Sequence, residues 1–447
     1  MLNRFLFSKI DNSPLIIFRI FFGILISLEC YGAILTGWVK RTLVEPQFTF
    51  NFIGFDWLQP LPGYGMYVYF FIMGTLGVMV ALGYKYRFSI ISFTLLWTGV
   101  YLMQKTSYNN HYYLLVLISL IMCFLPAHRG YSFDLRSNPG LKSDSMFAYV
   151  KWAIVLQLLI VYTYASIAKL YGDWLDFGII RILMLNKASY PIIGGLLQEP
   201  LIHKIMGFYG ILFDLLVVPA LLWKPTRKIA FIASVFFHLF NSIVFQIGIF
   251  PYLSLAFTVF FFEPETIRRI FFKKKPPYLL QKIEVPSFRN TVYILGGLYF
   301  LVQLALPIRH HFIKDDVLWT EEGHRLSWRM MLRSRSGSIK FQVVDKENGE
   351  KTTINTKDYL TKKQQRRIGG YPDFIWQFAQ RLKKEYAEKG KDIAVYALNS
   401  KVSVNGKPYR AFIDPTIDLA SAKWNYFGHN EWILPSPTAA EKTPKTF

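Results

Sequence analysis

Nine stretches of the chain are apolar over a length that spans, or nearly spans, a bilayer: roughly 14–38, 66–83, 88–104, 111–126, 147–168, 205–223, 229–246, 249–263 and 291–307. The first follows Arg4 and Lys9 and is too long for the apolar core of a signal peptide, so it is expected to remain as a first transmembrane helix. Between 169 and 204 two further apolar pieces, 177–185 and 191–197, are too short to span. They predict a re-entrant or interfacial helical hairpin, a backbone that is tolerated at membrane depth when protein buries it.

After residue 307 the pattern changes. Apolar runs shorten and charges become dense. The segments 341–344 and 352–354 flank Asn348-Gly349, which predicts a hairpin with a type I′ turn, and the segments 393–398 and 402–413 contain a second hairpin signal, Asn405-Gly406. The stretch 361–388 reads as a basic amphipathic helix broken at Gly369-Gly370, able to dock an acidic partner. The expected fold is therefore a polytopic α-helical membrane bundle of about nine transmembrane helices with one re-entrant hairpin (1–307), a small C-terminal α+β domain (308–435) and a disordered tail (436–447).

Loop charge orients this plan. Lys85, Arg87, Arg129, Arg136, Lys142, Lys224, Arg227, Lys228, Arg268, Arg269 and the run Lys273-Lys274-Lys275 all fall in one alternate set of loops, the set that includes the N-terminus. Positive charge is retained on the cytoplasmic side, so the N-terminus is expected inside. An odd number of spans then puts the C-terminal domain outside the cytoplasm, in a periplasm or lumen. Composition agrees: 52% of the 447 residues are hydrophobic and the mean hydropathy is +0.26. In a soluble chain the net charge of +22 would point to nucleic acid; here cytoplasmic loops carry much of it, and no nucleic-acid partner is expected. Cys30 and Cys123 sit at different depths and are not expected to pair, and no metal-ligand spacing is present.

Ionisable residues at membrane depth are costly and mark function by default. Asn109-Asn110-His111 opens the fourth apolar segment, Lys169 closes the fifth, and His238 and Asn241 lie one helical turn apart in the seventh. The alternation of spans brings all three groups to the outer end of the bundle. Each has a plainer reading. A helix-end Lys commonly snorkels to the interface, His111 could cap its helix, and His238 could bond a backbone carbonyl. Arg19 is expected to snorkel or to brace the bundle, and Asp214 to bond a neighbouring helix. Together the trio suits proton chemistry on an apolar substrate arriving from the bilayer. Burial penalises an ammonium, a neutral amine can act as a general base, and His and Asn can bond carbonyl or hydroxyl oxygens. No thiol nucleophile, GxGxxG or phosphate loop accompanies them.

The same residues carry a family resemblance. Phe18-Arg19-Ile20, Pro60-Leu61-Pro62, Lys105-Thr106-Ser107-Tyr108-Asn109-Asn110-His111 and Ala168-Lys169-Leu170-Tyr171-Gly172-Asp173-Trp174 occur in order. They are followed by Phe237-His238-Leu239-Phe240-Asn241-Ser242, Ile247-Gly248-Ile249-Phe250, Ser327-Trp328-Arg329-Met330-Met331-Leu332-Arg333-Ser334-Arg335-Ser336 and Phe412-Ile413-Asp414-Pro415. The chain, to about Pro435, resembles the vitamin K-dependent gamma-carboxylases, as a shorter, microbial-type relative. The resemblance implies deprotonation of reduced vitamin K, reaction with O2, removal of a γ-proton from a protein glutamate by the strong base so produced, capture of CO2, and release of the quinone as its 2,3-epoxide. By resemblance Lys169 is the initiating base, and Asn110 and His111 position and polarise the hydroquinone. His238 and Asn241 line the pocket with Asn109; Trp328, Met330 and Met331 approach it from the outer domain; and Asp173 and Trp174 fix the turn after Lys169. Arg333 and Arg335 would bind the glutamate carboxylate or its peptide, unless they form a solvated basic face.

The implied cofactors are reduced vitamin K or a related naphthohydroquinone, O2 and CO2, with no metal. The implied partners are a Glu-containing peptide or protein, the lipid bilayer and a quinone reductase that recycles the epoxide. Animal members continue beyond the point where this chain stops, so propeptide recognition through that extension is not expected here. Two other readings compete. One is a quinol epoxidase or oxidase without carboxylation. The other is a non-catalytic membrane protein for peptide export, maturation or immunity, in which Lys169 merely snorkels.

Overall fold

In the structure, a computed structural model, residues 2–279 and 285–438 are described. Its membrane part is built from helices α1 (Ser13–Leu35), α2 (Gly65–Leu82), α3 (Tyr86–Met103), α4 (Asn110–Phe124) and α5 (Ala148–Ile167). A short helix, α6 (Gly178–Leu185), precedes α7 (Pro200–Leu222), α8 (Arg227–Phe245), α9 (Phe250–Phe257) and α10 (Arg289–Ile308). Six of the described helices are long and apolar enough to cross a membrane: α1, α2, α5, α7, α8 and α10, the last continuing to Phe312. Helix α4 and the segment Phe250–Phe260 are apolar but shorter. The protein is thus an integral membrane protein. Of the two short apolar pieces between 169 and 204, the first forms α6, whose Ile179, Ile180 and Met184 are buried against the rest of the chain, and the second forms no α-helix.

The first two spans cross closely because small residues meet. A Cβ on Gly23 would lie 2.3 Å from the Ala81 nitrogen, and one on Gly77 would lie 2.8 Å from the Ser27 nitrogen. Close backbone approach of this kind is what small residues provide where lipid supplies no hydrophobic drive between helices. One turn before Gly23 in α1, Arg19 is fully buried and braces the bundle. Its guanidinium donates to the carbonyls of Ala127 (2.9 Å), Gly130 (3.0 Å) and Tyr131 (2.6 Å). Lys275, expected among exposed loop charges, is instead buried. Its ammonium donates to Asp11 (2.6 Å), Asn12 (2.7 Å) and Ser13 (3.1 Å), beside a two-stranded sheet of β1 (Lys9–Asp11) and β2 (Ser145–Phe147). A buried ammonium needs such a full set of acceptors to offset its lost hydration.

The C-terminal domain is α+β. Strands β3 (Arg335–Asp345), β4 (Lys351–Ile354), β5 (Ile393–Val404) and β6 (Arg410–Ala411) form an antiparallel sheet in the order β4-β3-β5-β6. The basic stretch is indeed interrupted at the two glycines, giving α11 (Lys362–Ile368) and α12 (Pro372–Glu388). Helix α12 packs Phe374, Phe378 and Leu382 into the sheet's core. The turn at Asn405-Gly406 has positive φ at both residues, as type I′ requires. The other hairpin departs from expectation. Its loop spans five residues between Asp345 and Lys351, and Gly349 takes positive φ while Asn348 does not. The Asp345 carboxylate accepts the Glu347 amide (3.0 Å) and the Asn348 side chain the Glu350 amide (2.8 Å), which fixes the wider turn. Beyond Pro435, Ser436 is buried and its amide donates to Asp315 (2.6 Å); the rest of the expected disordered tail, from 439, lies outside the described residues.

The two parts are not separate bodies joined by a tether. Phe48 and Phe50, in the loop before α2, enter the outer domain's core, where Phe50 stacks on Phe374 at 4.8 Å. Lys105 is buried between the parts, paired with Asp373 and donating to Gln377 (2.8 Å); Arg325 also pairs with Asp373 (2.8 Å). Burial alone would raise the Asp373 carboxyl, but Arg325 and Lys105 outweigh it and hold it at about 2.

Candidate active site between bundle and outer domain

Lys169 sits just past the end of α5, where its amide still bonds the Ser166 carbonyl (3.0 Å). The turn points neighbouring side chains apart: Leu170 is exposed on the flank of the bundle while Lys169 is 6% exposed. Its ammonium donates to the Ala165 carbonyl (3.2 Å) and forms an ion pair with Asp214 of α7. The Trp174 ring lies 5.3 Å away. Snorkelling is therefore not what this lysine does. Asp214, expected only to tie two helices together, proves to be its counter-ion.

This pair faces a largely apolar cavity of about 400 Å³ that also contains His111, His238, Asn241, Met330 and Met331. The His111 ring stacks on Phe250 at 3.8 Å. His238 is 1% exposed. Its Nε2 lies 3.1 Å from the Tyr162 hydroxyl, whereas its Nδ1 is buried without a hydrogen-bond partner. Ile205 and Phe236 line the cavity and are themselves exposed on the bundle's flank, so the cavity reaches the lipid-facing surface.

A second cavity of about 780 Å³ adjoins the first. His111, Ile247, Met330 and Met331 line both. The second is polar: Glu29, Asn109, Asn110, Arg329, Arg333 and Arg367 contribute to its wall. Asn109 caps α4 by accepting the Tyr112 amide (2.7 Å). Asn110 accepts from the Tyr108 hydroxyl (2.8 Å) and donates to the Arg329 carbonyl (3.3 Å). Glu29 accepts from the Tyr112 hydroxyl (2.8 Å).

The partition between the cavities is a loop of the outer domain. Leu326, Trp328 and Met331 all adopt positive φ, a conformation uncommon in residues other than glycine. Such strain costs about 1–3 kcal/mol per residue and persists only when surroundings over-determine it. Here the Tyr108 hydroxyl accepts the Leu326 amide (2.8 Å), and Tyr171 donates to the Leu332 carbonyl. Asn405, at the tip of its β-turn, donates to Asp173 (2.8 Å) and accepts the Ser334 amide (2.8 Å). The turn after Lys169 and the strained loop are thus fastened to each other.

A family model for the HTTM domain matches residues 7–265, and one for the vitamin K-dependent gamma-carboxylase lumenal domain matches residues 288–439. This chain belongs to the vitamin K-dependent gamma-carboxylase family. No solved structure matches it. The α+β domain is accordingly the carboxylase lumenal domain, and both cavities lie where that domain meets the helical one.

Within the gamma-carboxylase fold, several residues sit elsewhere than expected. Trp328 lines neither cavity; it is buried in the core, stacked on Tyr113 at 4.9 Å, because positive φ turns it away from the methionines that follow. Arg335 is also absent from both walls. Its side chain is fully enclosed and donates to the carbonyls of Gly370 (2.7 Å) and Leu318, so it forms no solvated face. Arg333 does reach the polar cavity but is already paired with Glu321 (2.5 Å) and bonded to His324. Asn109 and Asn110 face the polar cavity and do not line the apolar one. Sequence reasoning missed Tyr162, Phe250, Arg329, Arg367 and Glu29 as lining or partner residues, and took Trp174 only as a turn residue. Glu29 carried a usable signal, as an acid inside an apolar run; the aromatic residues carried none among so many.

Proposed function

We propose that this protein couples oxygenation of reduced vitamin K, or a related naphthohydroquinone, to γ-carboxylation of glutamate in a peptide or protein. The observation that carries this reading is the pairing of two cavities across one wall: an apolar one holding the Lys169–Asp214 pair and a polar one lined by arginines. The residues present fit the quinone. The first cavity is apolar, opens toward lipid, and is lined by His238, whose buried Nδ1 has no hydrogen-bond partner.

Bound there, the reduced quinone would supply oxygen-driven chemistry, ending with O2 as the 2,3-epoxide and water and generating a base strong enough for the glutamate γ-proton. The chain's own residues prepare that chemistry. Lys169 and Asp214 hold one proton between them at rest. With that proton on the carboxyl, the amine of Lys169 takes a second from a substrate hydroxyl, and Asp214 keeps the pair from carrying a net charge beforehand. His238 and Asn241 bond ring oxygens and set the ring's orientation. His111, shared by both cavities, stands between the oxygenated ring and the glutamate. Met330 and Met331 form the adaptable apolar part of the same partition. Arg329 holds the glutamate carboxylate so that its γ-carbon, once deprotonated, adds to CO2. The orientation that goes with this has the N-terminus in the cytoplasm and both cavities at the extracytoplasmic end, supported by the loop-charge bias. A reductase returning the epoxide to the hydroquinone is the partner such a cycle calls for.

The test supplies purified protein with reduced vitamin K, O2, labelled bicarbonate and a Glu-containing peptide. Label in the peptide together with epoxide is the expected result. Epoxide without label, across several peptides, means an epoxidase that does not carboxylate. Neither product from folded protein overturns the enzyme reading. Lys169→Ala is expected to abolish epoxide formation, and substantial retained activity would remove Lys169 from its role.

A further inference from the structure

Two turns of the outer domain, Lys346-Glu347-Asn348-Gly349 and Asn405-Gly406, have polar tips. A third does not. At Asn425-Tyr426-Phe427-Gly428 the Phe427 side chain is 90% exposed, with Tyr426 exposed beside it. The turn is nonetheless firmly built. The Asn425 side chain accepts the amides of Phe427 (3.2 Å) and Gly428 (2.9 Å), and the Asn430 side chain accepts the Asn425 amide (2.8 Å). Asn430 donates its backbone amide (2.8 Å) and its side-chain amide (2.7 Å) to the buried carboxylate of Glu322, which also lies 2.7 Å from His429 Nδ1. At the base, the Trp424 ring packs between Trp376 of α12 (5.8 Å) and Trp432 (6.0 Å). A braced turn that holds a phenylalanine away from its own core gains nothing from that side chain within the chain.

The tip does not stand alone. A Cβ on Gly54 would lie 3.7 Å from the Tyr426 hydroxyl, so the tip sits against the loop between α1 and α2. That loop exposes Trp57 (76%), Leu61 and Tyr64 (83%), and the Phe55 ring lies 6.4 Å from Trp57. It is braced in the same manner. The Asn51 side chain donates to the Phe55 carbonyl (3.1 Å), and Gln59 donates to the Asn51 side chain (2.8 Å) while accepting the Thr49 amide (3.1 Å). Tyr64 immediately precedes α2, a helix fit to cross the membrane, whose Val68 and Phe71 are exposed on its flank. The apolar flank of a span therefore leads through Tyr64, Leu61 and Trp57 to the tip on the outer domain. Tyr and Trp are the residues that gather at the level of lipid headgroups, where one end of the ring is apolar and the other wet.

We propose that the turn 425–428 is a membrane finger: it inserts Tyr426 and Phe427 into the leaflet on the outer domain's side, beside the loop that leads into α2, and gives that domain a hold on the bilayer apart from the spans. Continuity with the lipid-facing flank of α2 selects lipid over a protein partner. Lys423, exposed just before the finger, suits the phosphate level above it, its charged end staying in water while its stem lies along apolar surface. The finger's root is Glu322, four residues before Leu326, where the strained loop between the two cavities begins. A finger held by lipid thus steadies the segment that carries this loop. The proposal is independent of the reaction the cavities perform.

The experiment places a fluorophore on the full chain at Phe427→Cys, at Tyr64→Cys or at Asn348→Cys, in phosphatidylcholine nanodiscs with and without nitroxide-bearing lipid. The parent chain, whose Cys30 is buried and Cys123 half-buried, is the labelling blank. The label at 427 is expected to lose most of its emission to the lipid nitroxide, as the one at 64 does, while the label at 348, on a polar turn, keeps its own. A label at 427 as insensitive as the one at 348 overturns the proposal. A second measurement needs no label. Phe427→Asp is expected to make amide exchange in 421–434 and 326–331 roughly tenfold faster in nanodiscs, the equivalent of partly burying one phenylalanine, and Phe427→Trp is expected to keep the parent rate. Exchange in Phe427→Asp equal to the parent's overturns the proposal. Exchange sped equally by Phe427→Trp also overturns it, because the side chain would then be packing within the domain.

Discussion

Lys169 and Asp214 meet as an ion pair inside the apolar cavity, each almost fully buried, contributed by the end of α5 and the middle of α7. A lone buried ammonium would be costly, and a counter-ion restores its balance. Each is therefore the other's counter-ion.

Asp214→Asn removes the acceptor while keeping the shape. Epoxide formation is expected to lose about a hundredfold in kcat, in the range of general acid–base effects, with the KM for hydroquinone nearly unchanged. Asp214→Glu should restore part of it. Steady-state kinetics with both variants checks this; equal losses in the two would mean a purely structural role.

His238 lines the apolar cavity, and its Nδ1 is buried without a hydrogen-bond partner. His238→Phe fills the same space without that nitrogen. The KM for hydroquinone is expected to rise about three- to tenfold, the worth of one net hydrogen bond, while thermal unfolding in detergent stays close to that of the parent. An unchanged KM would show that the ring only packs.

Asn405 fastens the outer domain to the turn after Lys169 through Asp173. Asn405→Gly keeps the left-handed backbone of the turn and removes only the amide. A loss of about 1–3 kcal/mol is expected from the buried groups left unpaired, together with faster hydrogen exchange in the strained loop 326–331. Hydrogen-exchange mass spectrometry reads both the loop and the turn.

The Asp373 carboxyl lies at about 2 in the folded protein against an ordinary value of 3.8. The native state therefore holds its carboxylate ionised where the unfolded chain has begun to protonate it. Its contribution, about 2 kcal/mol, is complete above pH 3.8 and disappears as pH falls through 2. Asp373→Asn should flatten that part of the stability–pH curve, measured by unfolding between pH 2 and 5.

The helical bundle, the outer α+β domain and the gathering of Lys169, His111, His238 and Asn241 were all legible in the sequence. Lipid demands long apolar runs and forces polar residues to declare themselves, so hydropathy and the alternation of spans suffice to bring those residues to one end. What hydropathy does not encode is which way a side chain turns once there. Asp214 looked like a helix-to-helix tie because only packing reveals that α7 presents it to the end of α5. Trp328 and Arg335 looked like site residues because they share a motif with Met330, Met331 and Arg333. Positive φ at Trp328 and Met331 sends those neighbours in different directions, and a backbone turn of that kind leaves no mark in composition or period. The split between an apolar cavity and a polar one likewise belongs to the tertiary structure alone. Its partition comes from a loop more than 150 residues after Lys169, held in a strained shape by contacts that exist only when the outer domain is docked.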